Sequence, residues 1–149
     1  MSTSVSELNS ILLALKNSCN FDNSMMIATE DHIIRRLKDT TGTVIAMTYP
    51  SSDDISKGIN NVGDIDTIFI WAIEKINPSD VDDNSEIAHF AKMKEMMSDI
   101  KKYLRNKKLQ GCNILQYLNE KSFHVDPEYQ VFGGWNGYSL SFTLNSYDY

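Results

Sequence analysis

A chain of 149 residues is the size of one ordinary domain, large enough to bury roughly two-thirds of its unfolded surface without a covalent staple. Twenty acidic against 14 basic residues give a formal net charge of -6, which argues against attachment to a polyanion such as DNA. The two cysteines, Cys19 and Cys112, have no short metal-type spacing, so they read as reduced, structural thiols rather than a disulfide framework or a zinc site.

Met1 is followed by polar Ser and Thr residues, and no stretch approaches about eighteen apolar residues, so neither a cleaved secretion signal nor a membrane span is expected. Ser4 and Glu7 have capping-box spacing, and Leu8, Ile11, Leu12 and Leu15 recur at helical intervals, which predicts a helix from about Val5 to Asn17. The short apolar run Met25, Met26, Ile27 and Ala28 is open between an edge strand and other structure. Thr29 or Asp31 caps a short helical turn carrying Ile33, Ile34 and Leu37, ended near Gly42.

Thr43 to Tyr49 is rich in β-branched and aromatic residues and predicts a strand, stopped by Pro50 because proline cannot donate to a ladder. Residues 51–64 are polar, with Gly58, Asn60, Asn61 and Gly63, and read as a long loop or the tip of an extended hairpin. Ile65 to Ile76 is apolar on both faces through Ile68, Phe69, Ile70, Trp71, Ala72 and Ile73, as in a central strand covered on both sides or covered by a neighbouring subunit.

An acidic connector with Pro78, Asp80, Asp82 and Asp83 leads into the longest helical pattern, where Ile87, Phe90, Met93, Met97, Ile100 and Leu104 form one stripe. Asp83 with Glu86, or Asn84 alone, is expected to cap its start, and Lys101, Lys102, Arg105, Lys107 and Lys108 crowd its end, where positive charge suits the macrodipole. Ser122 to Phe132 reads as a strand interrupted near Asp126 and Pro127. A glycine-rich turn from Gly133 to Gly137 then leads into Tyr138, Leu140, Phe142 and Leu144, which alternate with Ser139, Ser141, Thr143 and Asn145 as a half-covered strand does. The expected fold is a single α+β domain over residues 1–149: an antiparallel sheet of about four strands packed by an N-terminal helix and one long helix, in the order α-β-β-α-β-β.

Catalytic and metal signals are weak. His32, His89 and His124 are far apart, the acidic loops lack the ligand spacing of a calcium site, and the three late glycines enter a strand rather than a helix, so they do not make a phosphate loop. The basic end of the long helix reads as a solvated, dipole-matched helix end rather than a nucleic-acid site. The acidic set before that helix and the basic set at its end are candidates to meet across a subunit boundary in a head-to-tail ring.

The acidic connector into a long helix with Met96 and Met97, the segment with Pro127 and Tyr129, and Gly134, Trp135 and Gly137 before an alternating last strand resemble small virion proteins of tailed bacteriophages infecting gut Bacteroidales, including crAss-like phages. The order of elements is similar to that of tail-terminator and tail-completion proteins, which form rings at the head-to-tail joint, and the likeness covers most of the chain from about Thr43 onward. It implies a non-enzymatic structural protein of the virion neck or tail, assembled in the host bacterial cytoplasm, without a cofactor or metal. Its implied partners are further copies of itself in a ring and other neck, portal or tail proteins, with no membrane and no specific nucleic-acid binding. The candidate interface residues are Lys57 on the long loop, Asp82, Asp83, Lys101, Lys102 and Arg105 around the helix, Trp135 at the turn, and Ser139, Ser141 and Thr143 on the uncharged face of the last strand. The alternatives are a small cytoplasmic enzyme or ligand-binding α+β domain using Cys112, His124 or the acidic loops, and a regulatory partner-binding module.

Overall fold

In the computed structural model, which describes residues 4–57, 62–77, 79, 82–111 and 113–148, Ser4 caps helix α1 (Val5–Ser18) by accepting from the Glu7 N–H at 3.3 Å. The Glu7 carboxylate reaches across the molecule instead of back to the cap, accepting from the Ile114 N–H at 3.2 Å. The apolar run after it is strand β1 (Asn23–Ile27), and Thr29 caps helix α2 (Glu30–Leu37) by accepting from the His32 N–H. Strand β2 (Thr43–Thr48) follows, then β3 (Ser51–Asp54), β4 (Val62–Lys75), helix α3 (Asp83–Leu109), a 3₁₀ turn (Asn113–Tyr117), β5 (Leu118–Val131) and β6 (Trp135–Asp148).

The six strands form one mixed sheet in the order β1-β2-β4-β6-β5, with β3 also paired to β4. β1 runs parallel to β2, and every other pairing is antiparallel. The expected order α-β-β-α-β-β around about four antiparallel strands is therefore corrected: the described residues contain three α-helices and six strands, and the sheet is mixed. The physical reason lies in α2. A parallel neighbour needs a crossover long enough to return to the same end of the sheet, and α2 supplies it, which turns the ambiguous run at Met25 into the strand beside β2.

Within residues 51–64, Ser51–Asp54 and the start of β4 are paired strands, and residues 58–61 lie outside the described part, as do Pro78, Asp80 and Cys112. β2 ends just before Pro50, as expected, and the chain resumes beside the same strand after it: β2 pairs with the half of β4 around Trp71 and β3 with the half around Asp66. β5 runs through Asp126 and Pro127 in register with Ser139 and Tyr138; its register breaks fall between Asn119 and His124 and between Glu128 and Val131.

The two sheet faces are unequal. One carries Ile45, Met47, Ile68, Ile70, Leu140, Phe142 and Leu144, packed under α1 and α3 through Leu8, Leu12, Leu15, Met93, Met97, Ile100 and Leu104. This is the main core, and each of those side chains removed from water contributes about 1.5–3 kcal/mol. Among the described residues the one helix on the other face is α2, whose Ile33 and Leu37 pack with Val44, Ala46, Ile73 and Trp135. On α3 the apolar stripe holds from Met93 to Leu104, but Ile87 is exposed and His89 takes the buried place at the start.

Candidate functional site

α2 is only eight residues long, so the second sheet face continues beyond it without a helix. Residues in register across that face form rows: Phe69 on β4, Ser141 on β6 and His124 on β5, then Trp71, Ser139 and Asp126. Phe69 is 41% exposed and stacks on the half-buried Trp71, with ring centres 5.9 Å apart and planes 21° from parallel. Phe132 meets the other side of Trp71 edge-on at 5.7 Å.

Phe132 sits in the β5–β6 turn with φ of 53°, a left-handed conformation that disfavours a bulky side chain. Gly133 and Gly134 continue the turn at positive φ, and Trp135 already belongs to β6. The strained backbone points the Phe132 ring at Trp71, and the two line a cleft of about 230 Å³ with Ile27, Ile33 and Thr48. Polar groups on the strip are satisfied locally. The Ser139 hydroxyl donates to Glu128 Oε1 at 2.8 Å, and His124 Nε2 donates to Asp126 Oδ2 at 2.9 Å. The strip is thus an aromatic ladder on β4 beside an uncharged hydroxyl row on β6, with charges only at the β5 margin.

A second polar group of residues lies at the opposite face. His89, 8% exposed, puts Nε2 3.1 Å from Glu74 Oε1, and Lys92 Nζ approaches the same carboxylate at 3.2 Å. Burial holds the His89 pKa below its ordinary value against the opposing pull of Glu74, so the ring is neutral at pH 7 and donates its Nε2 hydrogen to Glu74. Its Nδ1 is buried without a hydrogen-bond partner. Nearby, Asp22 Oδ2 accepts from the Thr43 N–H at 2.9 Å and from its hydroxyl at 3.2 Å, and these bonds hold its carboxyl below the usual range. Burial, reinforced by the charge of Asp99, pushes the Cys19 thiol up to about 11, leaving it a poor nucleophile at neutral pH. Among the described residues no group of three His, Cys, Asp or Glu side chains is placed to hold a metal ion.

The structure separates the ten sequence-predicted residues into five places. Lys57 is exposed after β3. Asp82, rather than Asp83 or Asn84, caps α3 by accepting from the Ser85 N–H at 2.8 Å, with Asp83 exposed beside it. Lys101, Lys102 and Arg105 lie near the far end of α3, where Lys101 and Arg105 hang over the Phe123 ring. Ser139, Ser141 and Thr143 share the second sheet face, with Ser139 buried at 8% and Ser141 and Thr143 half-buried, whereas Trp135 is 2% exposed and belongs to the core beneath α2. Phe69, Trp71 and Phe132 were not singled out as site residues; the signal was the doubly apolar run from Ile68 to Ile73, which one sheet face could not fully bury.

No helix among the described residues is long and apolar enough to cross a membrane. The bacteriophage and virion labels implied by the resemblance are corrected on two grounds: the architecture that accompanied them is not the one found, and no relative supports them. No family model matches the chain, and no curated protein matches it.

Proposed function

We propose that the chain is a structural subunit that works by contact rather than by chemistry, and that the open half of the second sheet face is covered by a neighbouring subunit in a homo-oligomeric ring. One observation carries this reading: Phe69 lies exposed on Trp71 beside a hydroxyl row without a charge, on a face that the subunit's own helices leave uncovered. Exposed aromatic side chains with no charge directly beside them match the aromatic enrichment and charge depletion of an interface centre.

Mass photometry or sedimentation of the purified protein tests the reading. The expected result is a defined oligomer for the natural chain, and a shift of at least about tenfold toward monomer for Phe69→Lys and for Ser141→Lys. Both substitutions are expected to change folding stability by less than about 0.5 kcal/mol, because they lie on the surface of the subunit. A natural chain that stays monomeric at high concentration, or an oligomer indifferent to both changes, overturns it.

A further inference from the structure

The acidic and basic ends of α3 differ in more than sign. Lys94, Ser98, Lys101 and Arg105 step by four, three and four residues, which sets them on one flank of the helix. That flank faces the sheet margin, and between them runs a groove of about 390 Å³ lined by Lys94, Met97, Ser98 and Lys101 on the helix and by Val125, Pro127 and Tyr138 on the sheet. The groove is cationic along one wall and apolar along the other, with no carboxylate in its lining.

Its cations are held in place by rings rather than by acids. Lys94 Nζ lies 5.8 Å from the centre of the Tyr138 ring, and the Arg105 guanidinium 5.0 Å from that of Phe123. The ion pairs among the described residues join Glu74 to His89 and Lys92, and His124 to Asp126; none engages Lys94, Lys101 or Arg105. At the other end of the helix Asp82 and Asp83 are exposed, and neither is in an ion pair among the described residues. Along α3, Asp83 is separated from Lys94 by about 17 Å, from Lys101 by about 27 Å and from Arg105 by about 33 Å, two or more screening lengths at physiological salt, so within one subunit these charges serve each other little.

We propose that the groove between α3 and β5 receives the acidic start of α3, Asp82 and Asp83, from the next copy of this chain. The inference rests on the reading of the chain as a ring subunit and gives that ring a direction: the contact joins two different patches, so it is heterologous and runs head to tail. Two bodies each carrying a net charge of -6 repel at long range, and a locally opposite pair of patches fixes where they can meet.

Two variants and their mixture provide the test. Lys101→Glu with Arg105→Glu reverses the groove, and Asp82→Asn with Asp83→Lys reverses the helix start while keeping a residue able to cap it. Each variant alone is expected to associate at least about tenfold more weakly than the natural chain at 50 mM salt. An equimolar mixture is expected to recover assembly, because every contact in an alternating ring is again between opposite charges. Natural assembly is also expected to weaken between about 50 and 500 mM salt. Thermal unfolding of each variant establishes that it is folded.

If the folded variants assemble as the natural chain does, or if the mixture fails to recover, the groove inference is overturned. Should the Phe69→Lys change still break the oligomer in that case, the ring reading stands without it. A natural chain that is monomeric at both salt concentrations overturns both, including where the groove captures an acidic segment of a different protein.

Discussion

Gly137 is held to glycine by its neighbour strand. It pairs with Ile73, and a Cβ there would run into the Ala72 carbonyl oxygen on β4. Backbone on a central strand cannot yield as a side chain end can, so Gly137→Ala is expected to cost about 3 kcal/mol, read as a lower urea midpoint. Gly134 is different: it needs its positive φ in the turn, and a Cβ there would meet only ordinary contacts. His89 gives a pH signature. Its folded pKa is depressed below the ordinary 6.5, so the folded chain binds fewer protons than the unfolded chain between the two values. Its neutral burial is fully tolerated above pH 6.5 and becomes a penalty as pH falls below it. Thermal midpoints measured at pH 7.5 and 5.5 are expected to fall with acidification, and to fall less in His89→Gln.

At the scale of elements, α2 shows how little local chemistry holds a crossover in place. Eight residues cannot sustain a helix alone, so α2 depends on its Thr29 cap and on Ile33 and Leu37 against the sheet. Thr29→Ala is expected to cost about 1 kcal/mol in chemical denaturation, with the signal of Trp135, packed against this helix, following the same transition. The long elements were legible in the sequence because their patterns are long: the caps and stripe of α1, the basic end of α3, and the alternation of β6 with Leu140, Phe142 and Leu144 inward. The short ones were not. Four apolar residues at Met25 do not distinguish strand from helix, and Ser51–Asp54 has no strand propensity at all; β3 exists because β4 presents an unpaired edge to it. Phe132 was hidden for a related reason, since a left-handed aromatic in a turn leaves no periodic trace.

For the whole molecule the sheet divides the work. Among the described residues one face holds two helices and most of the buried apolar side chains; the other has one short helix, a smaller buried cluster and then the aromatic strip. Of the two readings of the doubly apolar strand, cover on both sides or cover by a neighbouring subunit, the first describes Ile73, under α2, and does not describe Phe69. That difference is why Phe69→Lys and Ser141→Lys are expected to separate assembly from folding: the main core lies on the opposite side of the sheet and does not sense either change. The groove beside α3 lies on the core side, so the two surfaces face apart. The two proposed contacts therefore suit a continuous wall better than an isolated pair.

The margin formed by β5 determines how such a wall can grow. With Pro127 in the edge strand and two breaks in its pairing, a further strand cannot be added there by hydrogen bonding. At this margin, adhesion between copies falls to side chains, and a side-chain contact fixes an angle where an extending ladder would fix only a spacing. Copy number then becomes a matter of tilt: a rotation that divides a full turn closes on itself, and one that does not winds into a filament.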